Sequence, residues 1–276
     1  MKYKLLCIDM DGTLLNSKHK VSDISREAIK KAHDKGVHVV ISTGRTYADA
    51  ESYSNLIGVK SPVIASNGAI IKEKHRSEVI YKSSIDKSLC IKVLDMFKKH
   101  GVKPSINTPD KIYCGDIFMK LFVEYLKVKG VMNKSINLKY IHSWKQWENV
   151  LNIEKDNIIK CEVINKNTNK IKALRKELEK LDNIEIASSS NHNIEITNKG
   201  VSKGKAIEIL AKHYNIKREE VIAIGDSEND ISMIEFAGVG VAMGNAPERI
   251  KAKADFITET NDDEGVAKAI QKYIFM

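Results

Sequence analysis

Two aspartates near the amino terminus, Asp9 and Asp11, have the spacing and the surroundings of a metal-dependent reaction centre. They follow a short apolar run over residues 5–8 and are followed directly by Gly12 and Thr13. An apolar run that stops at charged residues and a glycine is typical of a buried parallel strand that ends in a tight loop. Two carboxylates one residue apart repel each other unless a proton or a cation lies between them. The pattern therefore points to a hard divalent cation, Mg²⁺, and through it to phosphate.

Three further segments place polar residues at strand ends and at a helix start, and in open α/β sheets the strand ends are where ligands bind. Ile41-Ser42-Thr43-Gly44-Arg45 closes an apolar strand over 37–41, Ser202-Lys203-Gly204-Lys205 opens an amphipathic helix, and Gly225-Asp226-Ser227-Glu228-Asn229-Asp230 closes a strand over 221–224. Taken alone, a lysine at a helix start and an Asn-Asp pair opening another helix are ordinary surface and capping choices. Only their combination with the two aspartates favours a shared site.

In order and spacing, these four segments resemble the four signature motifs of the haloacid dehalogenase (HAD) superfamily. The resemblance is closest to its Cof-type branch, subfamily IIB, of sugar-phosphatase-like hydrolases, and it covers nearly the whole chain. Four motifs in the family's order are highly specific for the superfamily and much less specific for any substrate. The resemblance implies a core domain with an inserted cap domain, and a Mg²⁺-dependent phosphatase that works through an aspartyl-phosphate.

The resemblance also implies roles for the acidic residues. Asp9 is the expected nucleophile, and its carboxylate attacks phosphorus. Asp11 is the expected general acid that protonates the leaving alcohol, and then the base that activates water. Asp11 must be protonated for part of that cycle, and we expect the nearby charge of Asp9 to raise its pKa. The metal is expected to bind the Asp9 carboxylate, the backbone carbonyl of Asp11 and the Asp226 carboxylate.

The other motif residues are expected to bind phosphate or substrate. They are the backbone amides of Met10 and Gly12, Thr43, the Gly44 amide, Arg45, Lys203 and Asn229. Lys203 would balance the charge of the transferring phosphoryl group, and Asp230 would orient Lys203 without touching the substrate. Arg45 either faces the cap and helps to close it or forms a surface ion pair. Asn67 resembles a family segment at the third strand end, but a turn-forming Asn-Gly explains it nearly as well.

The elements that must position these residues alternate between strand and helix at both ends of the chain. Predicted strands are 5–8, 37–41, 63–65, 221–224 and 239–242, and predicted helices are 25–34, 47–56, 205–213 and 230–235. Such alternation predicts an α/β fold with a doubly wound, Rossmann-like parallel sheet. The middle of the chain has a different texture and reads as a second α/β unit inserted into the first. We therefore expect a catalytic core of residues 1–83 and 194–276 and an α/β cap of 84–193 that sets substrate specificity.

Composition argues against a membrane protein, a secreted protein and a nucleic-acid-binding protein. The chain has 276 residues, a formal net charge of +9 and four widely spaced cysteines. No apolar stretch is long enough to cross a bilayer, and the run behind the amino terminus is too short for a signal peptide. The cysteines are expected to be reduced thiols in a cytoplasmic protein. The lysines are spread along many helices without interleaved aromatics, so we expect no nucleic-acid or membrane partner and a monomer or small homo-oligomer.

The sequence therefore predicts a Mg²⁺-dependent phosphatase that hydrolyses small phosphorylated metabolites, such as sugar phosphates or similar monoesters. Both aspartates are present, whereas dehalogenases of the superfamily lack the second. Two alternatives stay open: a phosphomutase on the same scaffold, and a non-catalytic protein that binds phosphorylated ligands or nucleic acid through its positive charge. On the predicted cap, loop residues Asn107, Lys111 and Tyr113 are candidates for contacting the leaving group, although no motif assigns them.

Overall fold

The computed structural model describes residues 2–74, 78–129 and 136–276, which divide into two compact units. The first consists of Met1–Arg45, Ala50–Tyr81 and Ser202–Met276, and the second of Thr46–Asp49 and Lys82–Val201. No helix among the described residues is long and apolar enough to cross a membrane.

The strands are numbered along the chain. They are β1 (Leu5–Ile8), β2 (His38–Ser42), β3 (Val63–Ala65), β4 (Ile70–Lys72), β5 (Val79–Lys82), β6 (Pro104–Asn107), β7 (Lys111–Cys114), β8 (Asn137–Tyr140), β9 (Lys160–Ile164), β10 (Ile184–Ala187), β11 (Asn193–Asn198), β12 (Val221–Gly225), β13 (Val239–Ala242) and β14 (Phe256–Ile257).

The α-helices are numbered in the same way. They are α1 (Asp23–Asp34), α2 (Tyr47–Leu56), α3 (Lys87–Lys99), α4 (Ile117–Val128), α5 (Trp144–Ile153), α6 (Thr168–Leu178), α7 (Lys203–His213), α8 (Ile231–Phe236), α9 (Glu248–Lys251) and α10 (Gly265–Ile270). Short 3₁₀ turns at Ser66–Gly68, Arg218–Glu220 and Glu228–Asp230 and a π-turn at Gln271–Phe275 complete the set.

The first unit is built on one sheet with the strand order β14-β13-β12-β1-β2-β3-β4-β5. Neighbours from β14 to β3 are all parallel, and β4 returns antiparallel to β3. From β1 the chain builds outward through β2 and β3 on one side, and later through β12 and β13 on the other. Strand β1 is therefore the switch point of a doubly wound sheet, and the crevice at its carboxyl end is where such folds bind ligands.

Burial explains why β1 occupies the centre of the sheet. All four of its residues are buried, as are all five of β12. A strand buried on both faces reads as a continuous apolar run, which is the pattern of parallel sheets covered by helices. Leu5 and Cys7 pack with Val40 and with Ile207 and Leu210 of α7 in one apolar cluster.

The helices that flank the site begin at capped residues. The Ser22 hydroxyl accepts a hydrogen bond from the Ser25 backbone N–H at the start of α1, and the Ser202 hydroxyl accepts one from Lys205 at the start of α7. Serine caps of this kind satisfy amide groups that have no partner inside the helix. The cap at Ser202 sets the first residue of α7, and that residue is Lys203.

The second unit has its own sheet, in the order β10-β11-β9-β6-β7-β8, and its own apolar core. Pairs β10–β11, β11–β9, β9–β6 and β6–β7 are antiparallel, and β7–β8 is parallel. Helices α3, α5 and α6 contribute Phe97, Trp147 and Leu174 to the core.

Candidate active site

The residues of the four motifs meet at the carboxyl edge of the first unit's sheet. Asp9 directly follows β1, Thr43 follows β2 and Asp226 follows β12, and these three strands are neighbours. Asp9 and Thr43 are buried, and Asp226 is partly buried. Parallel strands bring their carboxyl ends to one edge, so the sheet topology gathers side chains that lie more than 200 positions apart in the sequence.

Lys203 is the centre of the charge arrangement. Its side chain is 0% exposed, and its ammonium donates to Asp9 Oδ1 and to Asp230 Oδ1, each at 2.5 Å. Burial alone would lower the pKa of Lys203, but the charges of Asp230 and Asp9 outweigh it and hold that pKa above its ordinary value. The two acids therefore favour the charged ammonium form of Lys203, which contacts the predicted nucleophile.

Asp230 has both carboxylate oxygens engaged. Oδ1 accepts from Lys203, and Oδ2 accepts from the backbone N–H groups of Asp226 and Ser227 at 3.0 Å each and from the Ser227 hydroxyl at 3.3 Å. A carboxylate so fully used holds its neighbours in place and has little left for a ligand. The hydrogen bond to Lys203 is the contact that the predicted orienting role requires, and that role stays a prediction.

The carboxylates of Asp9, Asp226 and Asp230 form a group that could hold a metal ion, with one oxygen of each within 4.8 Å of the others. Burial, followed by the charge of Asp230, raises the pKa of Asp9 well above its usual range and that of Asp226 to about 7. Three acids beside one lysine leave an excess of negative charge, which a hard cation would neutralise. Because Asp230 is already saturated, Asp9 and Asp226 are the side chains that fit such an ion.

Two neighbours fix the position of Asp226. The Thr13 hydroxyl donates to Asp226 Oδ1 at 2.7 Å. Gly12 has φ of +81°, and a Cβ placed there would lie 2.5 Å from Asp226 Oδ2. Glycine is therefore required at this position both by its backbone conformation and by the close approach of the acid.

Asp11 turns away from this acidic group and binds Arg45. The guanidinium donates from Nε to Asp11 Oδ2 at 2.7 Å and from Nη2 to Oδ1 at 2.5 Å. Burial would raise the pKa of Asp11, but the hydrogen bonds and charge of Arg45 outweigh it and lower that pKa. The expectation that Asp9 would raise the pKa of Asp11 was wrong, because the bidentate arginine acts directly on the Asp11 carboxylate. Of the two expectations for Arg45, the structure shows an ion pair, made with an Asp11 side chain that is 47% exposed. The Arg45 guanidinium also lies 5.3 Å from the Tyr53 ring centre.

The predicted phosphate-binding groups lie in the loops that follow β1 and β2. The Thr43 hydroxyl accepts a hydrogen bond from the Arg45 backbone N–H at 3.1 Å, and Gly44 lies between these two residues. The Met10 side chain is fully buried, so this residue can offer a ligand only its backbone. Their contact with phosphate stays a prediction.

Asn67 and Asn229 are joined by a hydrogen bond, from Asn229 Nδ2 to Asn67 Oδ1 at 3.0 Å. Asn229 Oδ1 in turn accepts from the Ser227 hydroxyl at 2.8 Å. Asn67 has φ of +58° and stands between Ser66 at +50° and Gly68 at +95°. Three successive left-handed residues form a strained turn of the kind found at functional sites. The structure thus connects Asn67 to a motif residue, and Asn67 is also a turn former.

Two asparagines outside the motifs brace the loop that carries the two aspartates predicted to be catalytic. Asn245 Nδ2 donates to the Gly12 carbonyl at 2.8 Å, and Asn245 Oδ1 accepts from the Asn261 backbone N–H. Asn261 Nδ2 donates to the Leu15 carbonyl at 2.8 Å. Neither residue was predicted from the sequence. A signal was available for Asn245, which comes three residues after the end of β13, whereas Asp226 directly follows β12.

In the second unit, the three residues proposed from sequence lie in strands and not in loops. Asn107 ends β6, and Lys111 and Tyr113 belong to β7. The Lys111 ammonium and the Tyr113 hydroxyl both donate to Glu154 Oε1, at 2.8 and 2.6 Å. The loop placement was therefore wrong, and two of the three side chains bind a buried glutamate.

The sequence matches one protein family over nearly its full length. The family model described as haloacid dehalogenase-like hydrolase covers residues 6–270. Phosphatase YwpJ of Bacillus subtilis (strain 168) is 37% identical over an alignment of 281 residues. The alignment covers 96% of this chain and 97% of the relative. The 5-amino-6-(5-phospho-D-ribitylamino)uracil phosphatase YcsE of the same organism is 35% identical over 271 residues, with 98% and 96% covered.

Solved structures give the same result for the fold. A haloacid dehalogenase-like hydrolase from B. subtilis superposes with a TM-score of 0.85 at 34% identity, covering 99% of this chain and 100% of that chain. The HAD subclass IIB sugar phosphatase BT4131 superposes with a TM-score of 0.82 at 30% identity, with the same coverage.

Proposed function

The chain belongs to the haloacid dehalogenase-like hydrolases and is a phosphatase, and from this premise we propose that it is a Mg²⁺-dependent enzyme that hydrolyses small phosphate monoesters through an aspartyl-phosphate at Asp9. One observation carries the proposal. The Asp9 carboxylate contacts the ammonium of the buried Lys203 and lies close to the Asp226 carboxylate. That arrangement supplies a nucleophile, a positive charge for a phosphoryl group and two oxygen ligands for a hard cation.

In the proposed reaction, an Asp9 carboxylate oxygen forms a bond to phosphorus while the bond between phosphorus and the ester oxygen breaks. The leaving alcohol takes a proton from Asp11. A water molecule then gives a proton to Asp11, attacks phosphorus and releases inorganic phosphate and free Asp9. Lys203 balances the charge of the transferring group. Bound Mg²⁺, held by Asp9, Asp226 and the Asp11 carbonyl, would supply the charge that keeps the buried acids ionised and neutralises the phosphate.

The ion pair between Asp11 and Arg45 places a condition on this cycle. A carboxylate bound bidentately by a guanidinium is held ionised, which suits the base of the second half-reaction and not the acid of the first. Asp11 must therefore separate from Arg45 before it protonates an alcohol. We propose that phosphate draws the Arg45 guanidinium away, because a dianionic phosphate competes with one carboxylate for the same donors. This gives Arg45 the substrate-binding role predicted from sequence.

The names of the relatives support a substrate class. One solved neighbour is a sugar phosphatase, and one relative acts on a phosphorylated ribitylamino compound. Their shared chemistry is a phosphate ester on a polyhydroxylated carbon chain. We propose a substrate of this class. The second unit is proposed to be the cap that sets substrate specificity, and Thr43, Gly44 and Asn229 are proposed to bind phosphate. The four buried free thiols fit a reducing, cytoplasmic location.

Phosphate release from a panel of substrates tests the proposal. The panel holds sugar and sugar-alcohol phosphates, nucleotides, pyridoxal phosphate and an aryl phosphate, each with Mg²⁺ and with a chelator. Asp9→Asn is expected to lower turnover at least about 10⁴-fold. The matched control, Asp34→Asn, removes an exposed carboxylate that pairs with Lys30 and should leave turnover unchanged. Turnover by Asp9→Asn close to that of the unmodified protein would reject Asp9 as nucleophile.

The role of Asp11 has a separate readout. An aryl phosphate has a good leaving group and needs little protonation, whereas a sugar phosphate needs an acid. The two substrates should therefore differ in the first half-reaction, measured as the burst of alcohol or phenol released before the aspartyl-phosphate is hydrolysed. Asp11→Asn should slow that release by about 10²- to 10⁴-fold for a sugar phosphate and much less for an aryl phosphate, whereas the later hydrolysis slows equally for both. Equal slowing of the release from both substrates would show that Asp11 is not the general acid.

A further inference from the structure

The turn at Ser66–Gly68 follows β3 and has an unusual backbone; it is here named the left-handed turn. Its three residues have φ of +50°, +58° and +95°, and all three are buried. Glycine adopts such angles freely and asparagine tolerates them, but a serine with positive φ is uncommon. Strain of this kind persists only where surrounding contacts impose it. The contacts of the left-handed turn therefore indicate its role.

The backbone of the left-handed turn holds the loop that follows β2. The Ser66 N–H donates to the Arg45 carbonyl at 2.9 Å, and the Asn67 N–H donates to the Thr43 carbonyl at 3.0 Å. The Thr43 carbonyl and the Gly44 N–H belong to one planar trans peptide, so they point in opposite directions. The hydrogen bond from Asn67 therefore fixes the direction of the Gly44 amide and aims it away from the left-handed turn.

The Asn67 side chain holds a second group that is predicted to bind phosphate. Asn67 Oδ1 accepts a hydrogen bond from Asn229 Nδ2 at 3.0 Å, and Asn229 Oδ1 accepts one from the Ser227 hydroxyl at 2.8 Å. Both ends of the Asn229 amide are thus held, which fixes its plane. An amide nitrogen carries two hydrogens, and the bond to Asn67 uses one of them. The other is the hydrogen that Asn229 can offer to a ligand.

The last residue of the left-handed turn packs against the start of α7. A Cβ placed on Gly68 would clash with the Ser202 carbonyl oxygen and would lie 3.0 Å from the Ala206 Cβ. Ser202 caps α7, and Lys203 is the first residue of that helix. The left-handed turn therefore contacts three of the four motif segments, although it lies outside all four.

We propose that Asn67 is a positioning residue for phosphate binding. Its backbone N–H sets the direction of the Gly44 amide, and its side chain sets the plane of the Asn229 amide. This role rests on the proposed function, in which Gly44 and Asn229 bind phosphate. Phosphate then meets two donors whose directions are already fixed, so less conformational freedom is lost on binding.

The competing explanation is that Asn67 only forms a turn. A turn former at this position needs a backbone that tolerates φ of +58°, and glycine tolerates it better than asparagine. It has no need of an acceptor directed at a motif residue. Asn67→Gly separates the two explanations, because glycine keeps the backbone N–H and the backbone conformation and removes only the side chain.

Two measurements on Asn67→Gly test the proposal: kcat/KM for an aryl phosphate with Mg²⁺, and the affinity for inorganic phosphate by calorimetry with Mg²⁺. Both should fall at least about tenfold, while the melting temperature stays within about 3 °C. Asn215→Gly is the matched control, because Asn215 also has positive φ, +55°, but is exposed and lies beyond the last residue of α7. It should change neither quantity. Unchanged values for Asn67→Gly would overturn the proposal.

A double-mutant cycle tests whether Asn67 acts through Asn229. Asn229→Ala should lower kcat/KM about 10²-fold, as expected for the loss of one phosphate donor. Adding Asn67→Gly to Asn229→Ala should then cost less than about twofold, because the group that Asn67 holds is absent. A general loss of stability would persist in the Asn229→Ala background. Equal losses from Asn67→Gly in both backgrounds would therefore overturn the positioning role.

The binding measurement keeps this role separate from the reaction. Inorganic phosphate binds without turnover, so weaker binding by Asn67→Gly that vanishes in the Asn229→Ala background supports the positioning role even if no phosphate ester is hydrolysed. Unchanged phosphate affinity in Asn229→Ala would overturn the positioning role together with the proposed role of Asn229. The assignment of Asp9 as nucleophile would still stand on the turnover of Asp9→Asn.

Discussion

Each of the two units buries a lysine between two carboxylates, yet the two sites are built differently. In the first unit Lys203 contacts Asp9 and Asp230 at 2.5 Å each. In the second unit Lys160 lies 3.2 Å from Glu162 and 3.4 Å from Glu195. Both lysines are nearly inaccessible to solvent, and charges of opposite sign raise the pKa of both above the ordinary value despite burial.

The difference lies in where the acids come from. Lys160 and Glu162 are two residues apart on β9, and Glu195 of β11 is paired with Glu162 in the sheet register. The pleat alone puts these three side chains on one face. Around Lys203 the acids come from separate loops, each with a further constraint such as the three donors to Asp230 or the glycine against Asp226. There is also a third acid, Asp226, that the lysine does not neutralise.

Each lysine contacts two carboxylates, so acids outnumber the cation in both sites. What distinguishes the first site is a third acid, Asp226, that its loop holds close to Asp9 and Asp230. A buried ion pair by itself is weak evidence of function or of stability. A third close carboxylate costs further free energy, and that cost is expected where a ligand supplies the missing charge. We expect substitutions in the first site to change metal binding and turnover, and those in the second to change stability alone.

Among tests of this comparison, the largest effect is expected from removing the lysines. Lys203→Met should lower kcat about 10³-fold, because the phosphoryl group loses its positive partner. It should also tighten Mg²⁺ binding, because three acids are then left without a cation. Lys160→Met should destabilise the chain by about 3 kcal/mol and leave Mg²⁺ affinity unchanged. Calorimetric titration with Mg²⁺ and thermal melts measure both, and equal Mg²⁺ affinities in the two variants would contradict the comparison.

A smaller effect is expected from Gly12→Ala. The new methyl group would meet the Asp226 carboxylate at 2.5 Å on a backbone with φ of +81°, so the acid must move. We expect a loss of Mg²⁺ affinity of at least about tenfold together with about 2 kcal/mol of destabilisation. Gly36→Ala is the matched control, since Gly36 has φ of +90° with no atom within 4 Å of the added carbon. Weaker Mg²⁺ binding in both variants would mean that backbone strain, and not contact with Asp226, is responsible.

Much of the first unit could be predicted from sequence because its strands are buried on both faces. The strands Leu5–Ile8, Val63–Ala65 and Val239–Ala242 and the helix Tyr47–Leu56 have the predicted bounds. Helix α4 and strand β8 were not predicted. Nine of the twelve residues of α4 are apolar, and so short and apolar a run is difficult to tell from a buried strand. Strand β8 is an edge strand whose residues alternate between exposed and half-buried, which leaves little apolar signal.

The sequence was enough to predict which residues gather at the site. It was not enough to predict which of their side chains contact each other. The motif residues cluster at one edge because the strand order forces them together. The pair formed by Asp11 and Arg45 depends on how two side chains turn within loops 34 positions apart, and no spacing rule gives that. The direction of the pKa of Asp11 was wrong for this reason. Lys160 carried no motif, so its burial between two glutamates was also missed.

A modest effect is expected from Asn245→Ala, which removes the donor to the Gly12 carbonyl. The loop that carries Asp9 and Asp11 would lose one brace while its buried contacts remain. We expect kcat to fall about tenfold, with little change in KM, because small displacements of a nucleophile affect the chemical step more than binding. Asn55→Ala, at an exposed position of α2, is the control. A rise in KM at constant kcat would assign Asn245 to binding instead.

The smallest expected effect concerns two glutamates of the second unit, Glu154 and Glu162. Their contributions to the free energy of unfolding should change with pH in opposite directions. Burial would raise the pKa of Glu154, but hydrogen bonds from Lys111 and Tyr113 outweigh it and lower that pKa. Its stabilising contribution is therefore complete above the ordinary glutamate pKa and is lost as the pH falls through the lowered value. Glu154→Gln should cost about 1.5 kcal/mol at pH 7, and this cost should shrink in melts below about pH 4.

Glu162 provides the opposite sign within the same unit. Burial, with the charge of Glu195, raises the pKa of Glu162 even though Lys160 opposes it. The native state then binds a proton more readily than the unfolded chain, so the unmodified protein gains stability from this group as the pH falls. The melting difference between the unmodified protein and Glu162→Gln should therefore grow in favour of the unmodified protein at lower pH. The melting difference should therefore shrink at lower pH for Glu154→Gln and grow for Glu162→Gln. If both differences changed in the same direction, the opposite pKa shifts of the two glutamates would be contradicted.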